Sequence, residues 1–230
     1  MHKILSTKKL EASLVREAQT RGIEIIEKEF IDVRPILHNS KRSEFSTVLD
    51  TAIPYAAFTS ANAVWAVAEL LQGRSAGWKL CSLEGKTRSE LEEHTSFGKL
   101  MLTAPDSGTL SQKIVESGIR QLVFFCGNRR RDELPLALSA AGVELTEVIV
   151  YETVQLPVAV DTDLDAVLFF SPSAVQSFFL VNELKKQTVC FAIGDTTAAS
   201  IASFTNNQIV RSPSASQESM LEALMAHLAV

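Results

Sequence analysis

Short apolar runs rich in valine, isoleucine and phenylalanine alternate along the chain with longer stretches whose apolar residues recur every three or four positions. The first pattern reads as strand and the second as helix, so the chain reads as repeated βα units. Strands are expected over Lys3–Ser6, Ile23–Glu27, Tyr55–Thr59, Leu80–Leu83, Leu100–Thr103, Leu122–Cys126, Ala166–Phe170, Val189–Ile193 and Gln208–Val210. Several are apolar at consecutive positions, as a parallel strand covered on both faces requires. Helices are expected over Lys9–Thr20, Ser60–Gln72, Thr87–His94, Ser107–Ser117, Asp132–Ala141, Pro172–Leu184, Asp195–Ser203 and Ser216–Leu228.

Two extended, β-branched stretches break the alternation, Glu29–Ile36 and Glu147–Val154, and neither runs at once into a helix. They read as a linker pair. If they run antiparallel, the chain leaves a first domain, builds a second one whole, and returns. The expected division is residues 1–30 with 155–230 as a discontinuous α/β domain, 31–37 and 147–154 as linker, and 38–146 as the second α/β domain. A length of 230 residues is long for one core and natural for two. The fold class is therefore α/β: two similar doubly wound parallel-sheet domains joined by a two-stranded antiparallel linker.

An internal similarity points the same way. Phe58-Thr59-Ser60-Ala61-Asn62-Ala63-Val64 and Phe169-Phe170-Ser171-Pro172-Ser173-Ala174-Val175 agree at four of seven positions, and each joins a strand to a helix. Farther on, Leu83-Glu84-Gly85-Lys86-Thr87 and Ile193-Gly194-Asp195-Thr196-Thr197 do so again, with a threonine 27 residues after Ser60 and 26 after Ser171. The repeated separation makes the two domains look like copies.

Composition narrows the function. Hydrophobic residues make up 46% and charged ones 21%, so the chain folds rather than staying disordered. A net charge of −5 argues against a nucleic-acid partner, because neutralising phosphates needs a basic face. Cys81, Cys126 and Cys190 lie in or beside apolar runs with no CxxC pairing, and read as buried thiols of a reducing compartment. The N-terminus becomes charged at once, and no window approaches the ~18 apolar residues of a membrane span. A cytoplasmic protein with no membrane partner is expected.

The usual catalytic signatures are missing. No GxxxxGK[ST] loop, GxGxxG or GxSxG occurs, and His2, His38, His94 and His227 form no HxH or HxxxH pair, so no metal site is predicted. What remains is four strand-to-helix turns carrying Ser or Thr. Capping alone accounts for these residues. The alternative is that the free N–H groups at the helix starts bind anions beyond the carboxyl ends of the strands, which lets an acidic protein hold an acidic ligand. Beside them, Cys126-Gly127-Asn128-Arg129-Arg130-Arg131-Asp132-Glu133 joins a strand end to a tight turn and an acidic helix start. The arginines either pair with Asp132 and Glu133 or recognise carboxylates. Tyr151, on the second linker strand, is either core or a weak general acid.

The motif CGNxxRDxLPxxLxxxGxxxxxxxVYxT, Cys126–Thr153 here, followed by FFSPSAV and AIGDTTAAS, resembles uroporphyrinogen-III synthase. The resemblance is firm over Leu122–Thr197, fair at FTSANAV and weak at both ends. It implies two α/β domains on a two-stranded linker and a hydro-lyase that cyclises hydroxymethylbilane, a linear tetrapyrrole polycarboxylate, with inversion of ring D and loss of water, without a cofactor. It implies Tyr151 as the group assisting hydroxyl departure, and Thr87, Ser171, Thr196 and Thr197 as substrate contacts. Turn geometry adds Thr59, Ser60, Asn128 and Ser173. A monomer in transient contact with hydroxymethylbilane synthase is expected. Two departures stand out: Lys8 follows Thr7 where relatives often carry Thr-Arg, and Glu84 stands where they often carry glycine, Gly85 being displaced by one. The rivals are a non-catalytic two-domain binder of a small polyanion and a degenerate relative kept as a partner protein.

Overall fold

The computed structural model describes residues 1–51, 53–161 and 163–229. In chain order the elements are β1 (His2–Ser6), α1 (Ala12–Thr20), β2 (Ile23–Glu27), β3 (Ile31–Pro35), α2 (Asn39–Asp50), β4 (Tyr55–Phe58), α3 (Ala61–Leu71), β5 (Trp78–Leu83), α4 (Lys86–Glu93), β6 (Gly98–Ala104), α5 (Ser107–Glu116), β7 (Gln121–Gly127), α6 (Glu133–Ala140), β8 (Glu144–Gln155), β9 (Ala166–Phe169), α7 (Pro172–Phe179), β10 (Val189–Ala192), α8 (Asp195–Ala202), β11 (Ile209–Arg211) and α9 (Gln217–Leu228). The chain divides into unit 1, Met1–Asp32 with Val154–Val230, and unit 2, Val33–Thr153.

Unit 1 holds a five-stranded sheet in the order β11-β10-β9-β1-β2, every pair parallel. Alternate residues of each strand feed opposite cores, as the two-residue period of a strand dictates. Ile4, Ala166, Leu168 and Phe191 pack with Leu14 of α1 and Leu221 and Leu224 of α9. Leu5, Val167, Phe169 and Cys190 pack with Val175 and Phe178 of α7 and Ile201 of α8. The sheet is thus doubly wound, and its strand order reverses direction between β1 and β9.

Unit 2 carries the order β3-β8-β7-β4-β5-β6, with β8 through β6 parallel. Phe58, Leu80, Phe125 and Val148 pack beneath α2, α3 and α4. Ala57, Cys81, Phe124 and Cys126 pack beneath α5 and α6. Here the order reverses between β4 and β7. The two chain segments that connect the units, β3 and the end of β8, are neighbours. The Ile36 amide donates to Val150 O at 2.8 Å and the Leu156 amide to Phe30 O at 2.8 Å, a pairing of opposite sense.

Several elements differ from the sequence reading. Helix α2 was not expected: its sequence is mostly polar and it buries only Phe45 and Val48. Its start is capped by His38, whose side chain accepts the Lys41 amide at 3.2 Å. Helix α7 stops five residues early because Asn182 Nδ2 donates to Phe178 O at 2.9 Å while its Oδ1 takes the Val160 amide, closing the turn. Helix α1 starts three residues late because side chains claim the amides before it, Leu10 donating to Glu27 Oε1 and Glu11 to Gln217 Oε1. The stretch Glu147–Val154 belongs to a longer strand, β8, whose first half lies along β7.

Candidate functional site

Every site residue expected from sequence lies just past, or in the case of Tyr151 ends beside, the carboxyl end of a parallel strand. That is where ligands of open α/β sheets bind. In unit 2, Thr59 and Ser60 come after β4, Thr87 after β5 and Asn128 after β7. In unit 1, Ser171 and Ser173 come after β9, and Thr196 and Thr197 after β10.

The unit 2 group is built around Tyr151. Strand β8 keeps register with β7 up to Cys126↔Ile149, then jumps to Gly127↔Tyr151, so Val150 bulges out of the pairing. A bulge breaks the in-and-out alternation and re-aims the side chains beyond it. Val150 and Tyr151 consequently pack against the same core, the one under α3. The phenol donates to Ser60 Oγ at 3.2 Å, and that oxygen also accepts the Asn62 amide, at 3.2 Å, as the cap of α3. Burial raises the phenol above its ordinary value, with the Ser60 hydrogen bond acting in the opposite direction. Tyr151 therefore stays protonated across the neutral range. Asn128 flanks it: its amide donates to Tyr151 O at 3.1 Å, and its Oδ1 accepts the Thr153 amide at 2.8 Å.

The arginine run resolves in part. Arg130 forks onto both Glu147 carboxylate oxygens and also pairs with Asp132, so its guanidinium is already engaged with carboxylates. The second partner is Glu147 on β8 rather than Glu133. The Cys126 thiol is pushed up to about 11 by burial, with Glu147 adding to the effect, which suits a core residue rather than a nucleophile.

In unit 1, Ser171 caps α7 by accepting the Ala174 amide at 3.1 Å, with Pro172 in the first turn. The capping role holds for Ser60 and Ser171 but not for the threonines. Gly85 and Gly194 are the caps of α4 and α8, while Thr87 and Thr197 sit inside those helices, 7% and 1% exposed. Gly85 takes φ +70°, so the displaced glycine stands where left-handed backbone demands one, and Glu84 lies exposed before it. Thr196 is exposed.

Two features escaped the sequence reading. Thr7 is buried at the reversal point of unit 1, its hydroxyl donating to Leu168 O at 2.9 Å and accepting the Phe170 amide at 3.3 Å. A cavity of about 340 Å³ at the β10–β11 side of the same sheet is lined by Gly194, Asp195, Arg211, Ser212 and Ser214, with Arg211 paired to Asp195. The repeated tripeptide Ser-Pro-Ser, at 171–173 and again at 212–214, was the available signal. Among the described residues, no cluster of three or more His, Cys, Asp or Glu side chains could hold a metal ion. No helix among them is long and apolar enough to cross a membrane.

The family model described as Uroporphyrinogen-III synthase HemD matches residues 12–222. The chain belongs to the uroporphyrinogen-III synthase family. It is thus an enzyme of tetrapyrrole biosynthesis. Among solved structures it is similar to uroporphyrinogen-III synthetase from Helicobacter pylori, with 14% identity, TM-score 0.72, and 99% of this chain and 100% of that one covered. It is likewise similar to a mutant uroporphyrinogen III synthase from Thermus thermophilus, with 12% identity, TM-score 0.70, and 100% and 98% covered. At these identities the structural matches speak for the two-domain α/β fold, and the family match carries the function. No curated protein matches the sequence significantly.

Proposed function

We propose that the chain cyclises hydroxymethylbilane to uroporphyrinogen III with Tyr151 as the proton donor to the departing hydroxyl. The phenol O–H donates as the C–O bond breaks and water leaves, and the substituted carbon of ring D then attacks the methylene of the resulting azafulvene cation. The spiro intermediate then fragments and recombines with that ring inverted. Because the bilane closes unaided at the unsubstituted carbon to the wrong isomer, the protein's largest contribution is to hold the chain folded. Ser171, Ser173, Thr196 and Thr197 in unit 1, and Thr59, Ser60, Thr87 and Asn128 in unit 2, act as substrate contacts, helped by helix-start amides that suit the substrate's carboxylates.

The observation that carries the reading is the protonated, half-buried Tyr151 hydroxyl at the carboxyl edge of the unit 2 sheet, 3.2 Å from Ser60. A monomer is proposed as well, with transient contact with hydroxymethylbilane synthase and a cytoplasmic location; the free, buried thiols of Cys81, Cys126 and Cys190 fit a reducing compartment. The test supplies freshly made hydroxymethylbilane, oxidises the product and separates the isomers beside a protein-free control. Excess isomer III is expected. Isomer I alone at the control rate, from protein that melts cooperatively, would sink the proposal.

A further inference from the structure

Tyr151 stands on β8, Ser60 comes just after β4, and β7 lies between those strands. To reach Ser60 the phenol ring must cross β7, and it does so over Gly127. A Cβ on Gly127 would fall 2.5 Å from Tyr151 Cε2, 2.8 Å from its Oη and closer still to Cζ. Glycine is not needed there for its backbone freedom, since Gly127 is not among the residues with positive φ. The requirement is space alone. Asn128 then holds the tyrosine's backbone from both sides, through its amide to Tyr151 O and its Oδ1 to the Thr153 amide.

We infer that Gly127 and Asn128 are positioning residues for Tyr151: the missing side chain of Gly127 is the slot the phenol lies in, and Asn128 clamps the bulged end of β8 that carries it. The inference deepens the proposed function and rests on Tyr151 being the proton donor. The Asn128 side-chain oxygen is committed to Thr153, so this positioning role runs through Tyr151 and leaves only Nδ2 for the substrate contact proposed above. Overpacking the slot must displace either β7 or the ring, and the ring is the softer of the two.

The test compares Gly127→Ala, Tyr151→Phe and the double variant, with Asn128→Ala beside Asn128→Asp, which keeps an acceptor for Thr153. Gly127→Ala is expected to lower kcat about 100-fold with KM nearly unchanged, the cost of misplacing a reacting group by about 1 Å. The double variant is expected to be no slower than Tyr151→Phe alone. An independent readout is the alkaline absorbance titration of the phenol in a Tyr55→Phe background, where Tyr151 is the sole tyrosine left of the two in the chain. Its midpoint is expected to fall toward that of a solvated phenol in Gly127→Ala and Asn128→Ala, and to be restored in Asn128→Asp. If Gly127→Ala folds with titration and turnover both unaltered, the positioning role is wrong. If it does not fold, the Asn128 pair decides, and an unmoved titration in Asn128→Ala overturns the inference. Should the titration shift while Tyr151→Phe turns over normally, the slot stands and the proton-donor reading fails instead.

Discussion

The two sheets have the same layout threaded by the chain in two different orders. Counted from one edge, unit 1 reads β11-β10-β9-β1-β2 and unit 2 reads β6-β5-β4-β7-β8, with β3 added as a sixth strand beyond β8. Strand β9 matches β4, β10 matches β5, and β1 and β2 match β7 and β8. The helices follow suit: α7 and α8 share one core as α3 and α4 do, while α1 and α9 share the other as α6 and α5 do. In unit 1 the β1–β2 pair comes first in the chain; in unit 2 its counterpart comes last. The units are circular permutations of one sheet, which shows that the packing is set by local βα units and their faces, and only weakly by where the chain is cut. What differs is how each closes its reversal point. Unit 2 bridges it with a titratable phenol reaching from the far strand; unit 1 seals it with the Thr7 hydroxyl bonded to the backbone of β9. On the proposed reading, unit 2 supplies the proton and unit 1 only binds.

The sharpest way to break this contrast is Tyr151→Phe. We expect kcat for isomer III formation to fall by about 10²-fold or more with KM nearly unchanged, as for loss of a general acid; an unaltered kcat would erase the asymmetry. Next comes Thr7→Val, which keeps the β-branched shape but strips the hydroxyl from Leu168 O and the Phe170 amide. A loss of about 1–3 kcal/mol is expected, read as a melting temperature lower by about 2–4 °C per kcal/mol. Smaller is the paired test of the two caps. Ser60→Ala and Ser171→Ala should each cost about 1 kcal/mol, but only Ser60→Ala should also raise the Tyr151 titration midpoint, because the hydrogen bond it removes holds that value down.

The remaining test is silent at neutral pH, lies on the alkaline side and draws on both units. Burial pushes the Cys81 and Cys190 thiols up to about 12 and Cys126 up to about 11. The folded protein holds these protons more tightly than the unfolded chain, whose thiols titrate near 8.5. Their stabilising contribution is therefore complete below about pH 8.5 and is lost as pH rises toward the folded values. Melting temperature should be flat to mildly alkaline pH and fall beyond it, and a thiol reagent at neutral pH should find no thiol until denaturant is added. Reaction of the native protein would place a cysteine outside the cores.

Much of this fold was legible because buried parallel strands advertise themselves. LVFFC and AVLFF are apolar at successive positions since both faces of β7 and β9 are covered, and their helices carry a clean apolar stripe. Helix α2 was illegible for the converse reason, a polar surface helix held by Phe45, Val48 and a histidine cap. The strand-to-helix turns of the candidate site were legible where a serine both caps a helix and repeats between units, as Ser60 and Ser171 do. The capping role, though not the site assignment, was misread where glycine caps and threonine sits one turn in, because sequence alone does not say which of two neighbouring residues leaves helical backbone. The bulge at Val150 and the ring over Gly127 depend on register between strands more than twenty residues apart, and no local pattern encodes that.

The cut that makes unit 1 discontinuous also sets a timetable for its assembly. Strand β1 finds its inner neighbour only when β9 emerges, since Ile4 pairs with Ala166. At ~5–20 residues per second of synthesis, β1 waits roughly 8–30 s, and the whole of unit 2 is synthesised as one uninterrupted piece in that interval while the apolar face of β1–α1–β2 stays uncovered. A nascent chain of this architecture therefore carries an uncovered N-terminal sheet fragment through the whole synthesis of unit 2, and that exposure ends only when β9 leaves the ribosome.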